Sequence, residues 1–565
     1  MNSEYRNAAE RLVTMARQIP DNIAIAEPES KRGKAVRNPY GVRVYRAVTF
    51  KELDRDSDRI AEALQRGGLN PGMKIALMVR QGIDFITLVY ALYKAGAVLV
   101  MIDPGMGIRR MLQCLSEVNP DGFAAIPAVQ AARVFMRRRF PKAKINLTVG
   151  RRLFWGGMSL DKIRKNDFGK PVMAEVGPDD PAAIIFTSGS TGVAKGVLYT
   201  HGIINTQVDQ LRERYKIVPG EIDLAGFPFF GLFDAALGVT TVIPDMDSTR
   251  PAKVDPELFL EAADLWGITQ SFGSPALWRK VTAYCLKHGR KLSTCKRAVS
   301  AGAPVPWQLL EDLRQCIHPE GDVHTPYGAT ESLPVASITA TEVINETAAQ
   351  SQEGAGTCVG KRFSTIEWRI IPISDGPIES IDDVQTLPPG EIGELAVTGP
   401  QVTHEYVTRL EANALAKMKD SSGRIWHRMG DVGYIDSQDR FWFCGRKAHR
   451  VESPVGTFYS IPCEAIANRH PKVFRSALVG AIDRDGDKEP VIVIEPNPED
   501  MPTNDYEQER LTLEVLEILK GYAITMPINR VLIHSSFPVD VRHNAKINRE
   551  LLAEWATDVL KKRAR

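Results

Sequence analysis

The chain has no C-x-x-C pair, and its seven cysteines (114, 285, 295, 316, 358, 444 and 463) are scattered and odd in number. That excludes a disulfide framework and makes cysteine metal ligation a poor expectation; packed, reduced thiols fit better. It also lacks an uninterrupted apolar run of the roughly 20 residues a membrane span needs. The most apolar stretch, LVYALYKAGAVLVMIDPG (88–105), is broken by Lys94 and Gly96 and reads as a buried helix, a turn and a strand. The N-terminal MNSEYRNAAERLVTMARQ has no apolar core of a signal peptide, so a cytoplasmic protein is expected. Charge of one sign is missing too: the formal net charge is +2, which gives no global field for nucleic acid. The basic runs MRRRFPKAK (136–144) and KKRAR (561–565) are local and read as solvated surface.

A Walker A loop is absent as well. The stretch FTSGSTGVAKGVLYTH (186–201) spaces Gly189, Gly192 and Lys195 three apart, and Gly196 follows the lysine where a Ser or Thr would reach Mg2+. A P-loop kinase or GTPase is therefore disfavoured. What remains is still a phosphate loop by chemistry. Its glycines let backbone N–H groups approach phosphate oxygens, the hydroxyls of Thr187, Ser188, Ser190 and Thr191 add donors, and Lys195 adds mobile charge.

At 565 residues, several domains or subdomains are expected. In TFKELDRDSDRIAEALQRGGL, Thr49 three residues before Glu52 predicts a capping box, and Leu53, Ile60, Ala63 and Leu64 share one helical face. KIALMV (74–79), AVLVMID and AAIIF (182–186) are continuous apolar strands between helices, the pattern of a parallel sheet covered on both faces. The phosphate loop leaves the C-terminal end of the last of these, where open α/β sheets bind ligands. Residues 390–446 are more β-rich, and the chain changes again after CGRKAHR, ending in a small α+β unit. The fold class is α/β, with boundaries expected as a core over 1–445 and a small lid over 446–565.

Further short stretches are weak alone. In TPYGATES (325–332), Glu331 beside Thr330 offers Mg2+ one hard carboxylate, with substrate phosphates completing the shell. Asp431 in WHRMGDVGYID sits where a turn carboxylate accepts the hydroxyls of a ribose, although turn aspartates are usually local caps. Arg446 in FCGRKAHR lies at the expected boundary, and Lys546 lies in the polar segment of FPVDVRHNAKINRELL.

The order and spacing of these motifs, with SAGAPVP (300–306), resemble the adenylate-forming superfamily of acyl-CoA synthetases, firefly luciferase and peptide-synthetase adenylation domains, from about residue 20 to 555. The resemblance implies ATP and Mg2+ as cofactors. Thr187, Ser188, Gly189, Ser190, Thr191, Gly192 and Lys195 would hold the β- and γ-phosphates. Ala301, Gly302, Ala303 and Pro304, with Tyr327 and Gly328, would bracket adenine; Thr330 would touch the α-phosphate and Glu331 would bind Mg2+. Asp431 would hold the ribose, with Arg446 beside it, and Lys546 would be the catalytic lysine on a mobile domain. Phe230, Gly231 and Trp278 would belong to the acyl pocket.

Two departures stand out. Relatives carry paired aspartates after the G-R-K of the boundary; this chain has Ala448 and His449 in GRKAHRVESPVGTFYSIPCEAI (445–466), which puts delivery of coenzyme A in question. In FPFFGLFD (227–234), Gly231 stands where relatives often have histidine, as though space were opened for a substrate branched at its α-carbon. With the wording of YTHGIINTQVDQLRERY, these features look closest to the β-lactone synthetases of bacterial long-chain olefin biosynthesis. That resemblance implies a 2-alkyl-3-hydroxy fatty acid whose own 3-hydroxyl attacks the acyl-AMP. A complex with other enzymes of that pathway is a further expectation. His201, His449 and His543 are the histidines to weigh as base for that hydroxyl. A fatty acyl-CoA synthetase or acyl-AMP ligase is the alternative, and an inactive nucleotide-binding scaffold the remote one.

Overall fold

A computed structural model describes residues 5–31, 34–166, 173–186, 194–227, 231–482, 486–539 and 547–563. Two large sheets carry the site. One has seven strands in the order 196–200, 181–186, 98–101, 74–78, 122–125, 145–148, 158–159. All are parallel except the edge strand Gly196–Thr200, which runs antiparallel to Pro181–Phe186 with Phe186 opposite Gly196. The expected capping box on Phe50–Arg66 is present, Thr49 and Glu52 exchanging side-chain and backbone hydrogen bonds. The apolar stretch 88–105 is the C-terminal part of the buried helix Ile83–Lys94, a turn and the strand Val98–Met101. Lys94, fully buried, is neutralised by Asp54 and Asp58.

The second sheet joins fourteen strands. Its parallel centre runs through Ile222–Ala225, Gln270–Gly273, Arg297–Ser300 and the start of Asp322–Ala329. The β-rich strands Gly393–Thr398, Ile425–Ile435 and Arg440–Arg446 continue the same ladder. One face of the centre packs Leu224, Ala298 and Val323 against the helices Pro256–Trp266, Pro275–His288 and Trp307–Cys316. By the two-residue alternation of strands, Asp223, Gln270 and Arg297, level with one another, share the opposite face with Phe272 and Val299. All five of those side chains face one cavity, beside the helix His201–Tyr215.

From Val451 onward the chain builds its own apolar clusters around Val473–Ile482, Lys488–Pro496 and Arg530–Ile533, backed by the helices Asp505–Lys520 and Arg549–Arg563. All seven cysteines are buried and free. Among the described residues no helix is long and apolar enough to cross a membrane.

Candidate active site

The C-terminal ends of the central strands open onto a cavity of about 2240 Å³, larger than the usual ligand pocket of roughly 300–1,000 Å³. One wall gathers most of the predicted nucleotide-binding groups that are described. Ala301, Gly302, Ala303 and Pro304 line it directly after the strand Arg297–Ser300. Gly302 has φ +92° with open space where a Cβ would go, so the backbone conformation, not crowding, calls for glycine there. At Gly328 the reason is the reverse: a Cβ would stand 2.7 Å from the Ser332 carbonyl, across the tight reversal that presents Thr330 and Glu331.

Tyr327 donates its hydroxyl to Asp431 Oδ2 at 2.5 Å, tying the adenine and ribose candidates together across the sheet. Asp431 is buried, and Arg446 NH1 lies 2.9 Å from its Oδ1 while also donating to the Met429 carbonyl. Burial raises the Asp431 pKa, and the Arg446 guanidinium opposes that shift. Apart from that ion pair, Oδ1 has no hydrogen-bond partner among the described residues, which leaves it a lone pair for a ligand hydroxyl. Ser300 Oγ, on the cavity wall, is also buried without a partner among them.

Glu331 is held from three sides. Tyr406 donates to its Oε1 at 2.7 Å, and the Thr403 N–H and hydroxyl both donate to its carbonyl oxygen at 2.9 Å. Tyr199 fixes the adjacent Thr330 carbonyl at 2.6 Å. The Tyr406 ring carries Lys195 Nζ at 4.8 Å from its centroid and Lys417 Nζ at 5.8 Å, so two cations flank the group that orients the carboxylate. Lys417 is half-buried and donates to the Thr403 carbonyl; desolvation pulls its pKa down to about 7, with Glu331 opposing the shift. Tyr406 and Lys417 were missed from the sequence. The only signal was a tyrosine in THEYVTR, and its contact with Glu331 spans 75 positions.

Thr187 to Gly192 and Lys546 lie outside the described residues, as do Phe230 and His543. The phosphate loop is bracketed by the antiparallel strands Pro181–Phe186 and Gly196–Thr200, and Lys195 lines the cavity.

The acyl candidates differ from expectation. Trp278 is fully buried in the opposite layer, packed on Phe259 with its indole N–H donating to the Val299 carbonyl; it does not line the cavity. Gly231 opens no space: a Cβ there would stand 2.8 Å from Ile86 Cδ1 and 3.0 Å from Thr241 Cγ2, so it is a close-packing glycine. The apolar lining comes instead from Val208 and Leu211 of the 201–215 helix, Leu237, and Phe85 and Val89 of the 83–94 helix. Between these lies an acidic pair, Asp223 and Asp234, both raised by burial and hydrogen-bonded to each other, with Thr241 donating to Asp234 at 3.0 Å. Of the histidines, His201 is core: its Nδ1 accepts the Ala8 N–H, and burial holds it near pKa 4. His449 lines the cavity and is lowered to about 4 by burial and by Arg549 and Arg446, so it is neutral at pH 7. Beside it Lys447 reaches Glu394, which also pairs with the fully buried Arg428.

The sequence profile described as "AMP-binding enzyme" matches residues 16–407. The olefin beta-lactone synthetase of Xanthomonas campestris pv. campestris is 44% identical over 555 residues, 97% of each chain. That of Stenotrophomonas maltophilia is 43% identical over 570 residues, 99% of each. Among solved structures, the amide bond synthetase McbA from Marinactinospora thermotolerans superposes with TM-score 0.76 at 21% identity, covering 97% of this chain and 99% of that one. ATP-bound MatB from Rhodopseudomonas palustris gives 0.73 at 19%, covering 98% and 100%. These two likenesses establish the fold.

Proposed function

The chain belongs to the AMP-binding enzyme family and is an ATP-dependent adenylate-forming ligase, and from that premise we propose that it closes β-lactones from 2-alkyl-3-hydroxy fatty acids, as a step in long-chain olefin formation. The observation that carries this is the 43–44% identity to two olefin β-lactone synthetases over nearly the whole of each chain. In the first step a carboxylate oxygen bonds the α-phosphorus of ATP and pyrophosphate leaves. In the second the 3-hydroxyl oxygen bonds the acyl carbonyl carbon, the carbon–oxygen bond to AMP breaks, and the hydroxyl proton is released. A β-lactone, AMP and pyrophosphate result.

The residues divide that work. Asp431, its Oδ1 paired only with Arg446, accepts a ribose hydroxyl, and the 301–304 loop with Tyr327 packs the base. Glu331, oriented by Tyr406, whose ring also carries Lys195, would hold a Mg2+ ion, and the ion would neutralise charge on the departing pyrophosphate. Among the described residues no cluster of three or more histidine, cysteine or acidic side chains offers a competing metal site. Lys546 carries positive charge to the carboxylate and α-phosphate as they approach, and we assign it to a lid that begins near residue 446. The apolar lining takes the alkyl chains. An internal nucleophile needs no thiol route, in keeping with Ala448 and His449 at the boundary. The absence of a membrane-spanning helix among the described residues fits a cytoplasmic enzyme.

Pairing each acid with its 3-deoxy counterpart tests the two steps separately. Both acids are expected to drive ATP–pyrophosphate exchange, while only the hydroxy acid turns over to free AMP without coenzyme A. Equal AMP release from the deoxy acid would remove the internal nucleophile from the account.

A further inference from the structure

We propose that the arginine-rich face around the helix Pro127–Phe135 docks the enzyme on an anionic lipid surface. Between Asp121 and Asp161 the sequence holds eight lysines and arginines and no acidic residue, in a chain whose net charge is only +2. The structure gathers these cations with large exposed apolar side chains. Phe135 ends the 127–135 helix at 82% exposure, directly before the exposed Arg137–Arg139 turn. The loop carrying Leu153 and Phe154, 51% and 69% exposed, is tied back to this helix by Arg133, which donates to the Trp155 carbonyl. Trp155 is itself anchored on Thr148 and packs edge-on against Phe154, so the exposed ring is held in place. Arg139 shares a shallow depression with Arg109 of the helix Ile108–Val118, which starts on the exposed Ile108; the one carboxylate lining it, Glu117, is paired with Arg409.

Bare phosphate or an acidic protein would be served by the arginines alone. Cations interleaved with protruding Phe, Leu and Ile match the headgroup boundary of a bilayer, where the charge pairs with lipid phosphate and the apolar tips enter the acyl region. The face also has the right position. The same two helices turn Met111 and Val129 toward the main cavity, so a lipid-bound enzyme would present an outer wall of that cavity to the bilayer. The choice of lipid over an acidic protein rests in part on the long-chain substrate proposed above, since such an acid partitions into membranes.

The test is co-sedimentation of the full-length protein with phosphatidylcholine vesicles, with and without phosphatidylglycerol, in the absence of any substrate. Binding to the anionic vesicles is expected to be about tenfold tighter or more, and to weaken with salt. Arg137→Glu/Arg138→Glu/Arg139→Glu should abolish the preference, and Phe154→Ser should weaken binding several-fold. Both variants should keep wild-type pyrophosphate exchange on a short soluble acid, which shows that they fold. Equal binding to both vesicles overturns the proposal, as does anionic binding that ignores Phe154→Ser. Tighter binding to duplex DNA than to anionic vesicles would assign the face to nucleic acid instead. No arm depends on lactone formation, so this proposal and the proposed reaction fail separately.

Discussion

The polar wall of the cavity, proposed for the nucleotide, and the apolar wall, proposed for the acyl chain, are held by different forces. On the polar wall, directional bonds fix each group. Tyr327 holds Asp431, Tyr406 and Thr403 hold Glu331, and Tyr199 holds the Thr330 carbonyl. On the apolar wall, Val208, Leu211, Leu237 and Val89 come from three helices and meet by packing alone, with Asp223 and Asp234 as a polar interruption. Damage to the first wall should change rates on every acid. Damage to the second should change which acid is used.

The largest effect is expected from Lys546→Ala, a loss of adenylation of about 10²–10³-fold with ATP binding largely kept, read by pyrophosphate exchange and by ATP titration. Wild-type exchange in that variant would remove the lysine from the first step. Next, Tyr406→Phe keeps the ring between Lys195 and Lys417 but drops the bond to Glu331. A net loss of about 1 kcal/mol, roughly five- to tenfold, is expected, together with a raised Mg2+ requirement. An unchanged Mg2+ dependence would show that the bond does not position the carboxylate.

On the opposite wall, Leu211→Trp should shift the preferred chain length downward by about tenfold in kcat/KM while leaving the KM for ATP unchanged. A uniform loss across chain lengths would erase the distinction between the walls. A pH series probes Lys417, held near pKa 7. Its charge near Glu331 is lost as pH rises through about 7, so the KM for ATP should rise across that interval, and Lys417→Arg should flatten the rise.

The smallest effect concerns the acidic pair. Burial raises Asp223 above the unfolded carboxylate value, so the folded state holds the extra proton and stability is lost as pH rises toward and through neutrality. Asp223→Asn should therefore gain about 1 kcal/mol relative to wild type at pH 8 and little at pH 5, measured by thermal melts. Equal melting shifts at both pH values would count against a shared proton.

Legibility in the sequence follows the same division. The strand and helix alternation over 49–105, the capped helix at Thr49 and the reading of 88–105 as helix, turn and strand rest on local periodicity and capping, and the structure has them. Tyr327, Glu331, Asp431 and Arg446 were singled out because their polar chemistry sits in short, ordered motifs, and all four line the one cavity. Tyr406 and Lys417 act on Glu331 from 75 and 86 positions away, and no local pattern marks such a contact. Gly231 and Trp278 went astray for a related reason. A glycine reads alike whether it opens a pocket or admits a neighbour, and only the 2.8 Å approach of Ile86 distinguishes the two. Trp278 lies on the core face of its helix, a fact set by which sheet that helix covers.

In the proposed reaction the substrate supplies its own nucleophile. The most direct measurement is identification of the organic product formed from Mg2+-ATP and a synthetic 2-alkyl-3-hydroxy acid, with and without coenzyme A. A β-lactone with equimolar AMP, formed equally well without coenzyme A, is the predicted result. A thioester that appears only when coenzyme A is present would contradict it and make the chain an acyl-CoA synthetase.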